Sequence, residues 1–234
     1  MSRILVAVGV ALCAPAVAHA QVTQLFFDSF LDLEVVGEYY NGGLGGSGSG
    51  PGPDFGVTFG SNALAITSQN AGGTGNFQGN PSGDGIMFWL TGSNTYMNVA
   101  GGFDTGFSLY YSAINTAQGG GNVTVWDGVN GTGNVLALLD LPVFGSGLGG
   151  PGCELSGQYC PWRAVGASFD GTAMSISFGG SANYIGFDNV TFGSDDPRTD
   201  PTVTPEPGTV LLLGSGLMSL GLVGWRRRRG SANG

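Results

Sequence analysis

Apolar residues in the middle of this chain recur at every second position, in runs too short for anything but β-strands. In Asp54–Gly60 (DFGVTFG), Phe55, Val57 and Phe59 share one face. In Asn122–Gly128 (NVTVWDG), Val123 and Val125 point one way, Thr124 and Trp126 the other. In Ala173–Gly180 (AMSISFGG), Met174, Ile176 and Phe178 alternate with Ser175 and Ser177. A period of two is that of a pleated strand with one face buried. Turn doublets close these runs: Asp84-Gly85, Asp127-Gly128, Asn130-Gly131 and Asp170-Gly171. Glycine supplies 46 of 234 residues without a Gly-x-y period, which excludes a collagen helix. With 41% hydrophobic residues there is apolar surface enough for a core. The pattern predicts an all-β fold: a two-sheet β-sandwich, jelly-roll-like, of about a dozen short strands. Its first strand falls near Thr23–Phe30 and its last near Tyr184–Phe192.

The last strand changes phase. Ile185 and Phe187 share one face and Val190 and Phe192 the other, so a bulge is expected at Asp188-Asn189. Glycine-rich stretches at 41–53, 70–85, 117–122 and 144–152 read as surface loops. Residues 193–204 (GSDDPRTDPTVT) read as a polar linker after a 21–192 sandwich ectodomain.

Residues 1–20 carry the pattern of a signal peptide: Arg3, an apolar run from Ile4 to Leu12, and Ala18-His19-Ala20 before Gln21. Cleavage there removes the only histidine, His19, from a chain that has no lysine. The exported part then lacks the side chains for a Ser-His-Asp triad, a histidine zinc site or a lysine Schiff base. Only carboxylate chemistry survives, and Glu34, Glu38 and Glu154 read as solvated surface residues in no catalytic signature. No enzymatic activity is expected.

The other end is organised differently. Gly208–Trp225 is free of charge, and as a helix it would reach about 27 Å, enough to cross a bilayer. Arg226, Arg227, Arg228 and Arg229 follow as a basic stop. Pro205, Glu206 and Pro207 stand immediately ahead. Motif, span and basic cluster over 205–229 resemble the PEP-CTERM sorting signal of Gram-negative bacteria that make exopolysaccharide. The resemblance implies recognition by an exosortase-type membrane protease, removal of the tail, and release or transfer to the cell surface. The precursor would sit transiently in the inner membrane with its folded part in the periplasm. Pro205, Glu206 and Pro207 would then be recognition elements of a substrate.

Cys153 and Cys160 are left after signal cleavage and, in an oxidising compartment, are expected to form a disulfide. Between Gln21 and Thr204 there are fifteen acidic residues and two arginines. Such a surface repels nucleic acid. It suits divalent cations, and Asp28 and Asp188, on the first and last strands, are candidate calcium ligands. Trp126 and Tyr110 alternate away from the apolar face of their strands and are candidate stacking platforms for sugar rings. Trp89, in a strand apolar on both faces, reads as core. These observations describe an exported, surface-sorted protein of the extracellular or exopolysaccharide matrix. The alternative is a carbohydrate-binding, lectin-like β-sandwich module that meets a polysaccharide.

Overall fold

The computed structural model describes residues 21–114, 117–144, 153, 159–199 and 201. The signal peptide, the span at 208–225 and the four arginines lie outside the described residues. Among the described residues no helix is long and apolar enough to cross a membrane.

Among the described residues, twelve strands form two sheets. One holds β10 (Arg163–Ser168), β7 (Gly106–Ser112), β12 (Gly186–Phe192), β5 (Gly85–Phe88), β4 (Leu64–Thr67) and β2 (Glu34–Val35) in that order, with β1 (Thr23–Leu25) beside β12. The other runs β3 (Val57–Phe59), β6 (Asn94–Phe103), β11 (Ala173–Gly180), β8 (Gly121–Trp126), β9 (Val135–Leu141). All named strand pairs are antiparallel, and the first and last strands are neighbours: Thr23 pairs with Phe192 and Leu25 with Val190.

Alternation sets the core. Met97, Val99, Val123, Val125, Ile176 and Phe178 enter from the five-stranded sheet; Leu25, Met87, Phe107, Leu109 and Phe187 enter from the other. Phe178 crosses the gap, with its ring 5.1 Å from that of Phe187 and 6.2 Å from that of Phe107. Trp89 stacks on Phe187 at 5.8 Å. Edge-on and offset rings of this kind contribute about 0.5–1.5 kcal/mol per pair beyond burial.

The phase change in β12 is a bulge. Its register shifts between Asp188 and Thr191, and Asn189 takes a φ of 48°. The bulge turns both Phe187 and Val190 inward, and below it β12 changes partner from β5 to β1. A second register shift, between Ala173 and Ser175, puts Ala173 in the core and leaves Met174 half-buried, where strict alternation had placed Met174 inside. Phe55, expected to share the inner face of β3, lies before the strand and is 40% exposed.

Two expectations need larger corrections. Glu34 is not a surface residue: it is fully buried. Its carboxylate accepts the amides of Leu31 (2.7 Å), Ser47 (2.7 Å) and Ser49 (3.1 Å) and the Ser49 hydroxyl. The glycine-rich loop 41–53 is wrapped around this group. A Cβ on Gly45 would stand 2.5 Å from Glu34 Oε1. The expected linker, too, begins as part of the sandwich. Residues 193–199 run along the seven-stranded sheet. The Gly193 amide donates to Gly106 O (2.9 Å), Ser108 Oγ to Ser194 O (2.9 Å), Ser168 Oγ to Asp195 Oδ2 (2.5 Å) and Gln24 Nε2 to Pro197 O (2.7 Å). Backbone amides and short hydroxyls fix the segment, and its polar composition alone does not reveal this.

Candidate functional site

The outer face of the five-stranded sheet carries the most developed surface. Thr95, Met97 and Val99 of β6 point inward, so Asn94, Tyr96 and Asn98 point out, and all three are half-buried. Ser177 of β11 pairs with Tyr96 on one side and with Thr124 of β8 on the other; Ser175 pairs with Asn98 and Trp126. Trp126 is half-buried, and its indole N–H donates to Ser177 Oγ at 3.0 Å. That bond fixes the ring plane and leaves part of the ring exposed. The Asn94 amide donates to the Tyr96 hydroxyl at 2.7 Å. Tyr96 and Trp126 thus share one face two strands apart, with half-buried Asn94 and Asn98 beside Tyr96 and the hydroxyls of Ser175, Ser177 and Thr124 buried between them.

The turn after β8 borders this face. Asp127 accepts the Asn134 backbone amide (2.6 Å) and side-chain amide (2.7 Å), which hold its carboxyl below the usual range. Asn130, at φ 54°, exchanges two bonds with the Asn98 side chain (2.7 and 2.8 Å), and the Gly131 amide donates to Ser175 Oγ at 2.9 Å. Gly131 lies against the Tyr96 ring, where a Cβ would come within 2.5 Å. The turn is anchored across the sheet, from Trp126 over buried Ser175 to Asn98 and Tyr96, and covers part of this face.

Tyr110 does not join Trp126. It lies on β7 in the other sheet, and the Arg198 guanidinium sits 5.9 Å from its ring centroid. The segment at 193–199 thus lies over the surface on which Tyr110 was expected to be free. Tyr96 instead shares the face of Trp126, two strands away. The signal was present in Asn94-Thr-Tyr-Met-Asn-Val, where Asn94, Tyr96 and Asn98 alternate with Thr95, Met97 and Val99.

Asp28 and Asp188 converge on one segment. Asp28 Oδ1 accepts the amides of Asp84 and Gly85, both at 2.8 Å. Asp188 is fully buried and accepts Ser82 N (3.0 Å), Ser82 Oγ (2.9 Å), Asn189 N (2.8 Å) and Asn80 Nδ2 (3.3 Å). Burial raises the Asp188 carboxyl to about 6 against these bonds. The donors on Asp188 occupy the lone pairs that a cation would need. Among the described residues no three acidic, histidine or cysteine side chains cluster. The pair clamps residues 80–85 to the sandwich.

Cys153 and Cys160 have their sulfurs at bonding distance, with Cα atoms 5.6 Å apart. The adjoining chain is tied down: the Tyr159 amide donates to Asn76 O (2.9 Å), and Trp162 donates its indole N–H to Gln78 O (3.1 Å) and packs edge-on against buried Phe77.

Residues 203–229 match the PEP-CTERM protein-sorting motif. The chain carries a PEP-CTERM sorting signal. It is the mark of an exported protein that exosortase recognises and that is sorted to the cell surface. No curated protein sequence matches the chain. Among solved structures, the K2 cleaved adhesin domain of Lys-gingipain aligns with 73% of this chain and 98% of its own, at 12% identity and a TM-score of 0.45. A carbohydrate-binding module (CBM6cm-2) from Cellvibrio mixtus lichenase 5A, in complex with cellotriose, aligns with 56% of this chain and 86% of its own (14% identity, TM-score 0.31). The CBM22-1-GH10 modules of Clostridium thermocellum xylanase 10B, complexed with xylohexaose, align with 58% of this chain and 26% of their own (17% identity, TM-score 0.34).

Proposed function

We propose that this protein is a non-enzymatic, jelly-roll-like β-sandwich delivered to the surface of a Gram-negative cell, where it serves the extracellular or exopolysaccharide matrix. The PEP-CTERM signal at the end of the chain carries the reading. The precursor crosses the inner membrane once, with the sandwich in the periplasm and Arg226–Arg229 in the cytoplasm, until exosortase removes the tail. The side-chain inventory supports the non-enzymatic part, since lysine is absent and the one histidine precedes Gln21. Replacing Pro205, Glu206 and Pro207 by alanine tests the reading. The variant should accumulate in the inner membrane as the uncleaved precursor; normal appearance at the surface would overturn it.

A second reading is favoured by the Trp126–Tyr96 face: the module holds a neutral polysaccharide there. The fixed indole, the neighbouring amides and the strongly acidic surface support a glycan without anionic groups. Affinity electrophoresis in gels containing neutral or uronate-bearing polysaccharide separates the cases. Retardation of the mature protein in the neutral gel alone, lost in Trp126→Ala, supports this reading. Equal mobility of both proteins refutes it.

A further inference from the structure

We infer that Gln21, once it becomes the N-terminal residue, closes on itself to 5-oxoproline. This rests on the export reading, in which the signal peptide is cut after Ala20. The residue is placed for the reaction. It is exposed, and it precedes the first ladder pair at Thr23. Its backbone carbonyl lies against Gly193, where a Cβ would stand 2.6 Å from the Gln21 oxygen. Its side-chain amide makes no hydrogen bond among the described residues. The carbonyl side is thus fixed while the amine and the side chain remain free to meet.

The step balances without any co-reactant. The α-amino nitrogen attacks Cδ of the side-chain amide and an N–Cδ bond forms, closing a five-membered lactam. The Cδ–Nε2 bond breaks, and ammonia leaves with the proton given up by the amine. Nothing is oxidised or reduced.

The modification also changes a cleft. Gln21 lines a cavity of about 500 Å³ at one end of the sandwich with Thr23, Asp54, Phe55, Asp104 and Thr172. A free N-terminus would bring an ammonium to a cleft lined by two carboxylates. The lactam is neutral and leaves the cleft acidic, and it closes the chain to aminopeptidases outside the cell.

The test is peptide mass spectrometry on full-length protein exported by its own signal. The expected N-terminal peptide begins at residue 21 and is lighter than unmodified Gln21-Val22-Thr23 by one ammonia. Pyroglutamyl peptidase should remove one residue from it and expose Val22, and the Gln21→Ala variant should carry a free amine. An intact, unblocked Gln21 on purified surface protein overturns the inference and leaves the export reading standing. An N-terminus at any other residue overturns both.

Discussion

Glu34→Gln is the substitution that tests the architecture most sharply. The wild-type carboxylate is fully buried and accepts four donors, two on each oxygen. Glutamine keeps one oxygen. With that oxygen on the Ser47 and Ser49 amides, its NH2 group donates to the Ser49 hydroxyl, which turns to accept, and faces the Leu31 amide, so one donor loses its carboxylate partner and the remaining bonds lose their charge. A bond of this kind contributes about 1.5–3 kcal/mol, so the variant should lose about 1.5–3 kcal/mol, a sizeable share of the stability of an ordinary domain. The pH dependence gives an independent check. Burial opposes ionisation of Glu34, but the bonds from Ser49, Leu31 and Ser47 outweigh it and lower its carboxyl pKa. The stability it supplies is therefore complete above the unfolded-state value and lost as pH falls through the folded-state value. Urea denaturation of both proteins at neutral and acidic pH should show a penalty that is large at neutral pH and shrinks in acid. A penalty below about 1 kcal/mol at neutral pH, or one that grows in acid, would refute the assignment of Glu34 as the ionised anchor of loop 41–53.

Asp188 should behave in the opposite sense. Its carboxyl is raised to about 6 by burial, so stability should rise as pH falls through 6 and level off near its unfolded value, by about 3 kcal/mol in all. Asp188→Asn should flatten that slope in a pH series of urea melts. Gly166→Ala places a Cβ 2.0 Å from the Asp195 carbonyl. It should lift the 193–199 segment at a cost of about 1–3 kcal/mol, seen as faster proteolysis after Arg198. Replacing both Cys153 and Cys160 by serine should lower stability by about 2–3 kcal/mol and leave the far-ultraviolet circular dichroism unchanged.

Much of the sandwich was legible because its strands obey local rules. Val123 and Val125 against Thr124 and Trp126, or Met97 and Val99 against Tyr96 and Asn98, declare their faces by alternation. The phase slip between Phe187 and Val190 declares the bulge. The outward placement of Trp126 followed from the same logic. What was hidden depends on contacts distant in sequence. Glu34 reads as solvent-exposed until the amides of Ser47 and Ser49 come around it. Tyr110 reads as free until Arg198, far along the chain, comes over it. Asp28 and Asp188 read as a cation pair, because sequence cannot show that residues 80–85 donate to both carboxylates. Carboxylates buried by backbone amides leave no periodic trace.

The central claim is that a folded β-sandwich reaches the surface after losing both ends. Intact mass spectrometry of the protein recovered from the cell surface, in the parent strain and in one lacking its exosortase, tests this directly. The account predicts a parent-strain species that begins at residue 21 and ends near Pro205-Glu206-Pro207, and a membrane-held species retaining Trp225 and Arg226–Arg229 in the exosortase-deficient strain. A surface species that still carries Trp225 in the parent strain, or tail removal unaffected by loss of the exosortase, would contradict it.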